Sequence, residues 1–270
     1  MTNLRRLVWV VALLGLSVFF ANCQNQTAVD KGGEHGPLYK SAGNEGGIVG
    51  TVVFDGAPPA PAMISMKSDP VCAKGGEVPS EEVLIANRKL QNVFVYVKSG
   101  LPQVSFPVPT QEAVIDQKGC RFAPHLMGIQ TGQPLKVINS DGTSHSIHPL
   151  PKTNKEWNET QYMSASPIIK KFSVEEVMIP VKCNLHSFMR AYIGVLKHPY
   201  FAVTGADGSF AIKGLPPGEY EVEAWHEKFG AKTLKIQVKE KSDATGDFRF
   251  ANTTAYQPGS LKVQPAFVIR

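Results

Sequence analysis

A cysteine, a histidine and a methionine lie three residues apart in the segment "KCNLHSFMRAYI", as Cys183, His186 and Met189. A thiolate, an imidazole and a thioether are ligands that suit a soft or borderline transition-metal ion. The same residues could also be a buried thiol, a surface imidazole and a core side chain with no shared task. The metal interpretation therefore requires one more ligand and a fold that brings it to this loop.

Histidines that could supply this ligand lie upstream, in "INSDGTSHSIHPL" at 138–150. The segment follows the apolar run "PLKVIN" and contains His145 and His148. One thiolate, two imidazoles and a weak thioether on a β-sandwich form the ligand set of a mononuclear blue-copper site. The spacing alone leaves both histidines open as the second imidazole.

The N-terminus has the pattern of an export signal, in which two arginines precede an apolar stretch over residues 7–20. Cys23 follows closely and resembles the cysteine of a bacterial lipobox, although Asn22 stands where a small residue is usual. We expect residues 1–23 to be a lipoprotein signal peptide and Cys23 to carry lipid on the outer membrane, facing the periplasm. A soluble periplasmic protein and a retained spanning helix are the alternatives. The polar, glycine-rich residues 24–46 then form a flexible tether.

The remaining cysteines are interpreted in the light of export, because disulfides persist outside the cytoplasm. Cys72 and Cys120 both lie in loop-like sequence without metal-ligand spacing nearby. A Cys72–Cys120 disulfide is the simplest pairing, and it leaves Cys183 alone. An unpaired cysteine in an exported protein needs a reason, and the neighbouring histidine and methionine supply one.

The charge of the chain does not indicate binding to nucleic acid. The formal net charge is +5, and it falls to +3 without Arg5 and Arg6, the only charged residues of the predicted signal. The chain has no basic run interleaved with aromatic residues, which would be typical of a nucleic-acid surface. With 43% hydrophobic and 19% charged residues, the composition is that of a globular protein.

Short β-branched and aromatic runs recur along the mature chain, among them "GIVGTVVF", "NVFVYV" and "EVMIPVKC". Three later runs, "SFAIKGL", "EYEVEAW" and "KTLKIQVK", alternate apolar and polar residues. Turn formers such as "LPPGE" separate them. The sequence therefore predicts an all-β protein of the sandwich type.

The two candidate ligand segments together resemble the cupredoxins. "NSDGTSH" follows one predicted strand and "CNLHSFMR" follows another, with the short ligand loop of amicyanin. The resemblance covers residues 106–198 and implies a Greek-key β-sandwich with one type 1 copper ion. By that resemblance the ligands are His145, Cys183, His186 and Met189.

Residues next to these ligands are candidates for supporting them. Ser146 stands where cupredoxins usually carry an asparagine that braces the ligand loop, and Asn139 ends the strand before it. Lys182 stands before the cysteine, where an aromatic or small residue is frequent. His148 is a surface histidine, an alternative ligand or a redox-linked protonation site.

A second resemblance flanks the first. "GGIVGTVVFDGAPPAPA" and "DGSFAIKGLPPGEYEV" are similar to the two halves of a carboxypeptidase-regulatory-like (transthyretin-like) sandwich, which concerns fold and not chemistry. Each half has too few strands to close a sandwich, so we expect strand 48–54 to pair with strands of 208–238. The cupredoxin is then inserted into this smaller module. The expected division is 47–105 and 199–240 for the module, 106–198 for the copper domain, and 241–270 for a C-terminal strand and tail.

A copper ion with these four ligands has no position left for a substrate, so we expect an electron carrier and not an enzyme. The resemblance implies a monomer whose redox protein partners dock near an exposed edge of His186. A copper storage, delivery or sensing lipoprotein and a non-metal surface-assembly module are the alternatives. The seven methionines are scattered along the chain, which counts against copper delivery.

Overall fold

The computed structural model describes residues 36–252, and its regular structure there is β-strand apart from one 3-10 helix, Cys72–Gly75. The predicted all-β class is therefore confirmed. The strands, numbered in chain order, are β1 Gly46–Asp55, β2 Met63–Ser65, β3 Glu77–Pro79, β4 Ile85–Ala86, β5 Lys89–Leu90, β6 Phe94–Ser99, β7 Ala113–Gln117, β8 Phe122–Ala123, β9 Leu126–Gln130, β10 Leu135–Asn139, β11 His145–Pro149, β12 Glu159–Gln161, β13 Ile168–Lys170, β14 Glu176–Lys182, β15 Arg190–Leu196, β16 Phe201–Val203, β17 Ser209–Leu215, β18 Gly218–His226, β19 Gly230–Val238, β20 Asp243–Thr245 and β21 Phe248–Ala251.

Strands from both ends of the described chain form one sandwich, here named the flanking sandwich (β1, β4–β6 and β16–β21). One sheet has the order β17-β1-β5-β4, with β20 and β21 also paired to β1, and the other has the order β16-β6-β18-β19. Ile48 of β1 lies opposite Ile212 of β17, which confirms the expected pairing of residues 48–54 with residues 208–238. Alternation along β18 turns Tyr220, Val222 and Ala224 into the core between the sheets.

The strands in between form a second sandwich, here named the inserted sandwich (β7–β15). Its sheets have the orders β13-β10-β7-β8 and β12-β11-β14-β15-β9. Its core is aliphatic and aromatic, and includes Ile115, Ile129, Val137, Ile147, Phe172 and Ile193. The candidate ligands lie at one end of this core, where β11 begins and where β14 gives way to β15.

The two sandwiches are packed against each other through β6, which is buried on both of its faces. Val95 faces the core of the flanking sandwich, whereas Phe94 and Tyr96 face the inserted sandwich. Gly128 and Gly194 make the close approach possible, because a Cβ atom at either position would lie within 2.7 Å of the Phe94 ring. The apolar run "VFVYV" is thus explained by a strand with two buried faces.

A hairpin of β2 and β3 reaches from the flanking sandwich to the ligand end of the inserted sandwich. We name residues 63–79 the cap hairpin. A disulfide joins its Cys72 to Cys120 of the inserted sandwich, with the two Cα atoms 5.7 Å apart. Met66 and the disulfide pack with Phe188 of the ligand loop. The cap hairpin is therefore fixed over the end of the core where the candidate ligands meet.

The N-terminal signal, Cys23 and most of the expected tether lie outside the described residues. The last part of that tether, 36–46, lies against the flanking sandwich. Tyr39 donates its backbone N–H to Ser105 and packs on Phe106, with ring centroids 5.3 Å apart. In the part of the chain that the structure describes, no helix has the length and apolar character needed to cross a membrane.

Candidate metal centre

The side chains of His145, Cys183 and His186 converge at the ligand end of the inserted sandwich. One donor atom from each lies within 4.8 Å of the other two. The Nδ1 atoms of the two imidazoles are 3.0 Å apart, and the Cys183 sulfur lies 3.9 Å from Nδ1 of His186. The three residues are 0%, 2% and 4% exposed in sequence order, so bulk water does not compete for these donor atoms.

The adjacent strands β11 and β14 and the loop from β14 to β15 position these side chains. His145 is the first residue of β11, and Cys183 directly follows β14. The loop from Cys183 to Met189 is closed by two backbone hydrogen bonds, from Cys183 N–H to Met189 O and from Met189 N–H to His186 O. Met189 is buried in the same core as Cys183. The three-residue spacing of the ligands is thus set by a short closed loop.

The sulfur of Cys183 is held as a hydrogen-bond acceptor. It accepts the backbone N–H of Ser146 at 3.3 Å and that of His186 at 3.4 Å. Burial raises the pKa of this thiol, but hydrogen bonds from His145 and from these two residues lower it more, to about 6. Cys183 has no disulfide partner among the described residues. The site therefore favours the thiolate, which is the form that binds metals.

Each imidazole is held from outside by a carboxylate. Nε2 of His145 lies 2.9 Å from Asp141, and Nε2 of His186 lies 3.3 Å from Asp69. Each Nε2–H then donates to its carboxylate, so each imidazole, when neutral, presents an Nδ1 lone pair to the other ring. Two lone pairs 3.0 Å apart repel unless a proton or a metal ion lies between them. Histidines that bind metals characteristically donate their outer N–H to a carboxylate in this way.

The donor set and its spacing fit one transition-metal ion. Nitrogen and sulfur ligands at about 2.0–2.3 Å from a shared ion lie about 3.3–3.8 Å from each other. The observed separations of 3.0 and 3.9 Å are close to this range. Two imidazoles, one thiolate and a thioether are the ligands of a blue-copper site, and Met189 is buried in the same core as Cys183. The carboxylates bind the outer nitrogens, so they are supports and not ligands.

The other sequence candidates lie around these ligands. Ser146 braces the loop, because its hydroxyl accepts the backbone N–H of Asn184 at 2.7 Å and lies 3.6 Å from the cysteine sulfur. Asn139 binds the carbonyl oxygen of Thr143 at 2.9 Å and so fixes the turn before His145. His148 points away from the ligands and contacts Asn184 through Nδ1 at 3.1 Å.

Sequence reasoning missed Asp141 and Asp69. Both carboxylates are fixed next to the disulfide: Asp141 accepts the N–H of Cys120 at 2.8 Å, and Asp69 accepts that of Cys72 at 3.1 Å. The only sequence signals were that Asp69 lies close to Cys72 of the predicted disulfide and that Asp141 lies in the ligand segment close to His145. No spacing rule connects Asp69 to His186, which lies 117 residues later.

The expected exposure of His186 is wrong. Its imidazole is 4% exposed, because the cap hairpin, through Asp69, covers the edge that was expected to meet redox partners. Leu185 next to it is 52% exposed, so the tip of the ligand loop is accessible while the ligand is not. A partner cannot reach this imidazole directly.

Comparison with family models gave no match, and comparison with curated proteins gave none either. Some solved structures align with part of the chain. A variant of amicyanin in its oxidized state is 16% identical, covering 33% of this chain and 85% of its own, with a TM-score of 0.29. A purple cupredoxin from Nitrosopumilus maritimus is 17% identical, covering 31% of this chain and 98% of its own, with a TM-score of 0.27. A Cu-containing nitrite reductase from Thermus scotoductus is 14% identical, covering 54% of this chain and 28% of its own, with a TM-score of 0.29.

These alignments are too weak to say what the site does, so its chemistry has to be derived from its own side chains. The fold and the site together define an all-β protein with a buried cluster of two histidines and a cysteine. Its donor atoms suit a single transition-metal ion.

Proposed function

We propose that the chain binds one copper ion through His145, Cys183, His186 and Met189 and carries electrons as a type 1 copper protein. The observation that carries this proposal is the pair of imidazoles. Their Nδ1 atoms face each other at 3.0 Å beside the cysteine sulfur, while a carboxylate binds each Nε2. Bound copper would supply a one-electron couple between Cu(II) and Cu(I).

The protein fixes the ligand side chains in position and shields them from water. Two backbone N–H groups fix the sulfur of Cys183, and two carboxylates fix the imidazoles. Ligands that are fixed before the metal binds keep their positions in both oxidation states. The four candidate ligands would fill the coordination positions of the ion, which leaves none open to a substrate. This arrangement supports an electron carrier and not an enzyme.

The visible absorption spectrum of the purified protein, loaded with Cu(II), tests this proposal. We expect one copper per chain and an intense thiolate-to-copper band that disappears when ascorbate is added. A colourless Cu(II)-treated protein would overturn the proposal. Tight binding of Cu(I) alone, with ready release to a chelator, would favour copper storage or delivery instead.

We also propose that the mature protein is anchored through lipid on Cys23 to the outer membrane, facing the periplasm. The export pattern of residues 1–23 supports this location, and so does the Cys72–Cys120 disulfide, which fits an oxidising compartment. Mass spectrometry of the membrane fraction should show an acylated N-terminal peptide that begins at Cys23. Recovery of all the mature protein in a soluble periplasmic extract would contradict the anchor.

A further inference from the structure

Two cationic side chains lie side by side where the chain enters and leaves the ligand loop. Lys182 ends β14 and Arg190 begins β15, and the register places them directly opposite each other. Directly opposed residues of antiparallel strands point to the same face, with Cβ atoms about 4.5–5.5 Å apart. Both side chains are exposed. Like charges in this arrangement destabilise a sheet, so the pair is held at a cost in stability.

No acidic side chain of residues 36–252 forms an ion pair with either cation. By contrast, Lys98 of the flanking sandwich has an acidic partner on the next strand. Its Nζ on β6 lies 2.7 Å from the carboxylate of Glu223 on β18. On its other side, Lys182 lies opposite His148 of β11, whose Nε2 contacts Glu156. That glutamate is therefore engaged by the histidine.

A groove of about 430 Å³ is lined by the two cations and borders the ligand loop. Its lining includes Cys183 itself and contains no acidic residue. The remaining walls are apolar or neutral, and include Leu150, Pro180, Asn184 and Tyr192. With His186 covered by the cap hairpin, a partner in this groove would lie close to the buried Cys183.

Resting on the proposed copper function, we propose that the cation pair Lys182–Arg190 is the docking site for a redox protein with an acidic surface. The partner binds over the groove, and one electron passes between its redox centre and the copper site on the Cys183 side. One centre is oxidised and the other is reduced, and no proton or covalent bond moves. Complementary charges steer such partners into short-lived complexes with small interfaces.

Binding of an acidic polypeptide to the metal-free protein tests the docking site without copper. The probe is poly-L-glutamate at low ionic strength, and the double variant is Lys182→Gln with Arg190→Gln. The matched control is Lys232→Gln with Lys235→Gln, which removes the same charge from β19. We expect the control to bind like the wild type, and the double variant to bind several-fold more weakly. Equal affinity of all three proteins would overturn the docking site.

The melting temperature of the same metal-free proteins tests the stability cost of the pair. Relief of repulsion should raise the midpoint of the double variant at low salt, and salt should shrink this gain. A midpoint that falls, or a gain that salt leaves unchanged, would show that Lys182 and Arg190 do not repel each other.

Oxidation of the reduced, copper-loaded protein by small ions tests the electron route. Hexacyanoferrate(III) is an anionic one-electron oxidant, and tris(phenanthroline)cobalt(III) is a cationic one. The double variant should react several-fold more slowly with the anion and no more slowly with the cation, while its visible spectrum matches that of the wild type. If the wild type and the double variant are both coloured and hexacyanoferrate(III) oxidises them at equal rates, the docking site is refuted and the copper function is not. A colourless wild type would refute the copper function by itself.

Discussion

The carboxylate of Asp69 lies 3.3 Å from Nε2 of His186, although 117 residues separate the two in sequence. The carboxylate is itself fixed, since it accepts the hydroxyl of Thr143 at 2.8 Å and the backbone N–H of Cys72 at 3.1 Å. The cap hairpin thus completes the metal centre from outside, and it both orients the imidazole and shields it from solvent.

Replacement of Asp69 by Asn should weaken copper binding about ten- to a hundredfold, which is the usual cost of losing an outer carboxylate. The amide has the same shape but no charge to hold the imidazole in its metal-binding form. Competition with a chelator of known affinity measures the change. Asp247→Asn is the matched control, because Asp247 accepts the N–H of Thr51 on the flanking sandwich, away from the site. Unchanged affinity in Asp69→Asn would mean that the cap hairpin only shields His186.

Replacement of Cys183 by Ser should abolish the visible band. A serine hydroxyl is hard and stays protonated at neutral pH, so it cannot replace the thiolate whose pKa is lowered to about 6. Absorption and copper stoichiometry should be measured together. A serine variant that kept an intense band would show that another group supplies the colour.

His145 and His148 should respond differently to substitution. His145→Gly opens a coordination position, so added imidazole should restore the lost band. His148→Gln should leave the spectrum nearly unchanged, because His148 contacts Asn184 and Glu156 and not the ligands. If imidazole rescued the His148 variant instead, the upstream ligand would be the other histidine.

Replacement of Gly194 by Ala should destabilise the protein by about 1–3 kcal/mol, the usual cost of overpacking. A Cβ atom there would lie 2.6 Å from both the Phe94 ring and the Met178 methyl group, between the two sandwiches. Urea unfolding of the metal-free protein measures the loss. Gly218→Ala is the control, because its Cβ would meet Tyr220 at an ordinary 3.4 Å. Equal stabilities of the two variants would contradict the close approach at Gly194.

Glu176 should stabilise the protein in a pH-dependent way. Burial raises the pKa of this carboxyl, but the backbone N–H of Lys152 and groups of Thr153 and Asn154 lower it further, from 4.5 to about 2. A carboxyl with a lowered pKa in the folded state contributes stability above pH 4.5, and the contribution is lost as the pH falls toward 2.

Urea unfolding of the metal-free wild type and Glu176→Gln checks this prediction. The wild type should be the more stable protein at pH 6, and the difference should shrink between pH 4.5 and 2. Glu77→Gln, at an exposed position of the cap hairpin, controls for loss of a surface charge. A difference between wild type and Glu176→Gln that stayed constant with pH would rule out the ionised carboxylate as its source.

Local patterns were sufficient for much of the fold. The period-two alternation of "EYEVEAW" reports a strand with one buried face, and the structure places Tyr220, Val222 and Ala224 in a core. The same logic separates the two upstream histidines. His145 shares a strand face with Ile147, a core residue, whereas His148 lies on the opposite face. The side chains alternate along the strand, so the apolar residue identifies the inward histidine.

The sequence by itself determined the strands, the three-residue spacing of Cys183, His186 and Met189, and the choice of soft donors, because each depends on neighbours along the chain. The tertiary structure alone decided that Asp69 covers His186 and that Lys182 faces Arg190. Contacts between distant segments depend on how sheets pair and pack, and many partners satisfy the same local pattern. The donors of the metal centre were therefore readable in the sequence, whereas its supports and its accessible side were not.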